Sequence, residues 1–163
     1  MPGAGKSTVG VILAKQTSSD FIDTDVLIQR SEGRSLQAIL DSDGHITLRK
    51  IEERIVLSLR LTNHVIATGG SAVYSPAAMT HLKANGVIVF LTVALAALEK
   101  RIKDFELRGI ARSPGQSFQD LFVERTSLYT KYADLTLDCT DLIQEEVCNL
   151  LVEKLDKLAR RSG

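Results

Sequence analysis

A parallel sheet with helices on both faces, an α/β architecture of three layers, is the fold class this sequence predicts. Two observations predict it. A glycine-rich segment ending in Gly5-Lys6-Ser7-Thr8 runs directly into an amphipathic pattern, and short apolar runs then alternate with helical periodicities. Buried parallel strands read as continuous apolar runs, and strands alternating with helices need crossovers that place the helices on the sheet faces. A chain of 163 residues has room for one domain and one core, and residues 1–163 are read as that domain.

Ser7 to Gln16 carries Val9, Ile12 and Leu13 on one helical face. Phe21-Ile22 is the first apolar strand, closed by Asp23 and Asp25, and alternation puts both acids on one face at its C-terminal edge. Thr47 to Leu61 spaces Leu48, Ile51, Ile55 and Leu59 by three and four, which predicts a helix. Val65-Ile66-Ala67 and Val87 to Leu91 are further buried strands, and Leu135-Thr136-Leu137 is a shorter alternating one. Helical patterns cover Ala94 to Ile102, Leu121 to Tyr132 and Asp141 to Leu158, the last turning Val147, Leu150, Leu151, Leu155 and Leu158 inward. Between two of these helices, residues 104–117 (DFELRGIARSPGQS) have no apolar period and hold two arginines, two glycines and a proline. A loop of that length in a compact domain reads as a functional lid or a disordered segment.

Basic and acidic residues both number 20, so no overall field draws the chain to nucleic acid or anionic lipid. Any bound anion has to be held by a local cluster. The apolar run around Val87–Val93 is too short to span a bilayer, and no signal-peptide pattern opens the chain, so a cytoplasmic, monomeric protein acting on a small molecule is expected. Cys139 and Cys148 read as reduced packing residues.

The chemistry starts at the N-terminal loop. Successive backbone N–H groups around Gly3, Ala4, Gly5 and Lys6 can wrap a β-phosphate, and the helix behind them aims its positive end at the same anion. Lys6 brings a point charge toward the β- and γ-phosphates, Ser7 has a hydroxyl suited to Mg²⁺, and Thr8 completes the motif. The first glycine of the full phosphate-loop pattern would fall one position before Met1, and the strand that should feed the loop has no residues here. This sequence is therefore expected to be an N-terminally shortened version of the working protein, preceded naturally by a short apolar strand ending in glycine.

GAGKSTVG, FIDTD, LRKIEE, ATGGSAV and ERTSLYTKYAD, in that order from Met1 to about Leu155, resemble the shikimate kinase family of phosphate-loop folds. The resemblance implies the strand order 2-3-1-4-5 and a mobile lid. It also implies ATP and Mg²⁺ as cofactors and transfer of the γ-phosphate to the 3-hydroxyl of shikimate. It assigns Asp23 to the Mg²⁺ shell with Ser7, and Asp25 to the acceptor's reacting hydroxyl, although an acid at a strand end also caps a following helix. Arg49 and Arg125 match the family's two carboxylate-gripping arginines, and Gly69 and Gly70 match glycines touching the acceptor ring. Ser71 stands where the family carries a third glycine, adding a hydroxyl and a Cβ at the acceptor. Arg101 resembles the residue that stacks on adenine, an exposed solvated arginine being the other reading. The family's lid Arg-Pro pair is missing, which leaves Arg108 and Arg112, and Arg112 is taken as the lid cation reaching the transferring phosphate. The rival readings are a kinase of the same build acting on another hydroxy acid, sugar acid or hydroxy amino acid, a nucleotide-binding switch, or an inactive relative.

Overall fold

The structure, a computed structural model, describes residues 1–102 and 109–162. Part of the expected lid, residues 104–108 with Arg108, lies outside the described residues; 109–117 lie within them. The chain opens on the glycine-rich loop and continues into α1 (Lys6–Gln16), β1 (Asp20–Asp23), α2 (Thr24–Glu32) and α3 (Leu36–Ser58). It goes on through β2 (His64–Ala67), a 3₁₀ turn (Ala72–Tyr74), α4 (Pro76–Ala84), β3 (Val89–Thr92), α5 (Leu95–Arg101), α6 (Phe118–Tyr132), β4 (Leu135–Asp138) and α7 (Gln144–Ser162).

β1 pairs in parallel with β2, Asp23 lying opposite Ala67, and β3 pairs in parallel with β4. These two pairs supply strands 2-3 and 4-5 of the expected order. A cavity of about 930 Å³ lies between β2 and β3, bordered by Val65, Ile66, Ile88 and Leu91 and walled by Leu13 of α1 and Leu151 of α7. The facing edges of β2 and β3 have no strand partner among the described residues. This is the central position expected for strand 1.

Helices cover both faces. Val9 and Leu13 of α1 share one apolar cluster with Leu91 and with Val147 and Leu151 of α7. On the opposite side of β3, the Phe90 ring meets that of Tyr129 on α6, 5.0 Å between centroids. Alternation of side chains along the strand sends neighbours to the two layers. Ile28 of α2 and Ile39, Leu48 and Ile51 of α3 form a second cluster that also receives Ala111 from the loop before α6. Cys139 and Cys148 are buried free thiols in the first cluster, as expected of packing residues, and burial pushes the Cys139 thiol up to about 11. No helix of the described residues is long and apolar enough to cross a membrane.

The structure corrects three local expectations. Asp25 is not on a strand: β1 ends at Asp23, whose Oδ1 accepts from the Asp25 N–H at 2.9 Å and caps α2, so Asp25 sits in that helix's first turn. Asp23, rather than Asp25, is therefore the capping acid. The helix placed over 47–61 begins at Leu36 and is broken at Gly44, whose φ of 79° lies in the left-handed region that glycine reaches without steric cost. α2 and α4 are helices that the hydrophobic period did not predict. α4 did carry a signal: Ser75 caps it through its hydroxyl and Pro76 takes the first position, a pattern that favours helix initiation.

Candidate active site

Gly3 and Gly5 have φ values of 76° and 87°, so the loop bends where only glycine is unstrained, and a Cβ on Gly3 would press on Ile102 at 2.9 Å. Gly5 is the N-cap of α1, no side chain caps that end, and no acidic residue sits in the first turn. The first-turn amides and the helix's positive end are thus left for an external anion. Ser7 and Thr8 are exposed at this end. Lys6 is half-buried, its Nζ donating to the Met1 carbonyl at 3.1 Å. Burial lowers the proton affinity of Lys6, against the opposing pull of Asp25.

β1 lies side by side with β2, and its last residue, Asp23, meets the helix behind the loop. Ser7 Oγ donates to Asp23 Oδ2 at 2.6 Å, pairing a hydroxyl and a carboxylate oxygen beside the helix N-terminus. Such hard oxygens, few in number, suit Mg²⁺, which keeps much of its water and shares substrate phosphates. Thr24 is fully buried and its Oγ1 accepts from Gly69 N–H at 2.9 Å, which ties the start of α2 to the glycine turn after β2.

Lys6, Asp25, Gly69, Gly70, Ser71 and Arg125 all border one pocket of about 90 Å³. Arg125 is 1% exposed; its Nη2 donates to the Ala111 carbonyl at 2.6 Å, and a Cβ on Gly70 would sit 2.6 Å from its Nη1. Gly70 therefore has to be glycine for the guanidinium to approach the turn. Tyr129 Oη donates to the Gly70 carbonyl at 2.7 Å and fixes that turn. The Arg49 guanidinium lies over the Tyr74 ring at 3.6 Å, with Arg125 5.5 Å from the same ring. Arg49 Nε is buried without a hydrogen-bond partner. Two cations thus flank one phenol beside the glycines, an arrangement that favours an incoming carboxylate.

Asp23, Arg49, Arg101 and Arg112, with Gly3 to Gly5, Ser7 and Thr8 of the loop, do not line this pocket. Arg101 is exposed on α5, donating to the Thr140 carbonyl at 3.1 Å. Arg112 donates to the Gln116 carbonyl at 2.7 Å within the loop before α6. That loop nevertheless reaches the site, since Gly109, Ile110 and Ala111 line the pocket and Gly109 N–H donates to Gln37 Oε1 at 2.8 Å.

Sequence reasoning missed Glu52. It lies three residues after Arg49 on α3, is 2% exposed, and accepts a hydrogen bond from the Ser71 hydroxyl on Oε2. Its signal was the i, i+3 spacing to Arg49, which puts both on one helical face. Burial pushes its carboxyl up to about 7; the Ser71 hydrogen bond works against this, and Asp25 adds to it. Burial, then Asp23, also raises Asp25. For Glu52 the folded value lies above the unfolded 4.5, so its stabilising contribution is complete below about pH 4.5 and is lost as pH rises through about 7. Glu52→Gln removes this loss. The variant is expected to gain stability relative to the unmodified chain between pH 5 and 8, by on the order of 3 kcal/mol at most, read from urea midpoints at each pH. A pH-independent difference would contradict the assignment.

The shikimate kinase family model matches residues 2–156. The shikimate kinase of Caldanaerobacter subterraneus is 36% identical, covering 98% of this chain and 94% of its own length. The shikimate kinase of Haemophilus influenzae strain PittEE is 34% identical, over 99% and 92%. Among solved structures, the shikimate complex of Acinetobacter baumannii shikimate kinase superposes with a TM-score of 0.85 at 26% identity, covering 95% of this chain and 88% of that one. The Aquifex aeolicus enzyme gives 0.84 at 31%, over 98% and 94%. With Lys6 of the phosphate loop, Asp25 and the buried Arg125 brought to one pocket, this chain belongs to the shikimate kinase family.

Proposed function

We propose that the chain transfers the γ-phosphoryl group of ATP to the 3-hydroxyl of shikimate, releasing ADP and shikimate 3-phosphate. The observation that carries this reading is the convergence of Lys6, Asp25, Gly70 and Arg125 on one pocket beside an uncapped phosphate-loop helix. Phosphoryl transfer asks a protein mainly for positioning and charge neutralisation. The loop amides of Gly3 to Ser7 and the Lys6 ammonium hold the β- and γ-phosphates, with Thr8 at the same end and Arg101 beside the base. Mg²⁺, held by Ser7 and Asp23, neutralises phosphate charge when bound. Asp25 orients the acceptor hydroxyl, its proton moving toward the carboxylate as the new P–O bond forms. Arg125 and Arg49 grip the acceptor carboxylate, and Gly69 and Gly70 let the ring approach the backbone. Arg112 moves in as the lid cation.

Ser71 departs from the family's glycine but commits its hydroxyl to Glu52, which supports an unchanged acceptor. The same reading describes a monomer in the cytoplasm with no nucleic-acid partner; the equal numbers of basic and acidic residues support the last point. The test is ADP release with ATP and Mg²⁺ against a panel of small hydroxy acids. Shikimate is expected to raise the rate; stimulation only by another acceptor would move the substrate assignment and leave the kinase assignment in place. Asp23→Asn is expected to raise the Mg²⁺ concentration for half-maximal rate by about tenfold, with ATP-saturated turnover partly recovered at high Mg²⁺. An unchanged Mg²⁺ dependence would remove Asp23 from the metal shell.

A further inference from the structure

Ser71 is 7% exposed and follows the two glycines at the end of β2. Its hydroxyl donates to Glu52 Oε2, so it is engaged by the protein itself. The other oxygen, Glu52 Oε1, is buried and has no hydrogen-bond partner. A Cβ on Gly69 would collide with that oxygen and would lie 2.6 Å from Asp25 Oδ1, so the two carboxylates flank the same glycine. Glu52, Asp25 and Gly69 all line the pocket assigned to the acceptor. A buried acceptor oxygen left without a donor is costly, and one bordering a pocket is satisfied when a ligand supplies the donor.

We propose that Ser71 is a positioning residue for the acceptor: its hydroxyl fixes the Glu52 carboxylate so that Oε1 is presented to a hydroxyl of the bound substrate. The proposal rests on the reading of this pocket as the acceptor site. It gives a role to the one position of the glycine turn where this chain departs from the family pattern. A glycine there has no side chain to hold Glu52, which would then turn or take up a proton more readily. The groups facing Glu52 divide in their effect. Asp25 on α2 opposes its ionisation, whereas Lys6 at the start of α1 and Arg125 on α6 favour it. Arg49 on α3 and Tyr129 on α6 are the other titratable groups that sense its charge. The Ser71 hydrogen bond adds to the ionising side, against the burial that pushes Glu52 to about 7.

The test uses the full chain labelled with ¹³C at glutamate side-chain carboxyls. The Glu52 resonance is assigned by its loss in Glu52→Gln. Ser71→Ala is expected to raise the Glu52 titration midpoint by about one pH unit, and Ser71→Thr to restore it by keeping the hydroxyl. In steady-state kinetics, Ser71→Ala is expected to raise the KM for shikimate by about 3- to 10-fold and leave the KM for ATP unchanged. The acid limb of kcat/KM for shikimate should move in the same direction as the NMR midpoint. Should Ser71→Ala fail to fold, Ser71→Gly supplies the same readouts with the family's own residue. A folded variant whose midpoint and shikimate KM both equal those of the unmodified chain overturns the proposal and makes Ser71 a packing residue. A moved midpoint without a change in shikimate KM also overturns it, since Glu52 would then not face the substrate. If the unmodified chain shows no shikimate-dependent turnover while the midpoint still moves, the substrate reading falls and the Ser71–Glu52 coupling stands.

Discussion

Replacing Lys6 with alanine is expected to lower kcat at least about 100-fold, because the lost charge acts on the phosphoryl group as it transfers. The same substitution is expected to leave the melting temperature unchanged or raised. Lys6 is half-buried and burial lowers its proton affinity, so at neutral pH its charge is held at a cost to the fold. Lost rate and retained stability are a combination that a structural lysine would not give. Wild-type kinetics in Lys6→Ala, with ATP binding intact, would dismantle the phosphate-site assignment and with it the functional reading of the glycine-rich loop.

Arg125→Lys is expected to weaken shikimate binding by about 2 kcal/mol, roughly 30-fold in KM, with little change in the KM for ATP. Lysine keeps the charge and gives up the planar fork that meets a carboxylate through two parallel hydrogen bonds. The geometry argues for a selective loss. Arg125 is 1% exposed, is anchored by its Nη2 on the Ala111 carbonyl, and has its Nη1 directly over Gly70. Circular dichroism and a melting curve separate this from unfolding, since the Ala111 contact also ties down the loop before α6. Equal rises in both KM values would assign Arg125 to the fold or the nucleotide instead of the acceptor.

The parts legible in the sequence were those where one local rule dominates. The loop Gly3 to Thr8 was legible because positive φ, close approach to phosphate and a helix start all demand particular residues at fixed spacing. β1 to β3 were legible because strands covered on both faces read as apolar runs, and β4 was legible from its short alternation. What alternation along β1 could not reveal was that the strand stops at Asp23. A capping hydrogen bond to the Asp25 N–H turns the chain into α2 directly after Asp23, so the two acids are brought together through the turn and not through a common strand face. Arg49 and Arg125 were found by resemblance, since an isolated arginine in an amphipathic helix carries no signal of its own. Glu52 was missed because nothing in the helical pattern itself marks an acid there as buried. Its burial is decided by Ser71 and Gly69, which approach from the turn after β2. The roles proposed for Arg112 and Arg101 depend on how loops and helix ends would meet a nucleotide, and neither residue lines the pocket proposed for the acceptor.

The most direct test of the central claim is to follow the reaction of the chain with ATP, Mg²⁺ and shikimate by ³¹P NMR. A phosphomonoester on the C3 oxygen of the ring is expected to appear in step with ADP while inorganic phosphate stays low. Inorganic phosphate appearing in place of that ester, or an ester formed only when another hydroxy compound is supplied, would contradict this function.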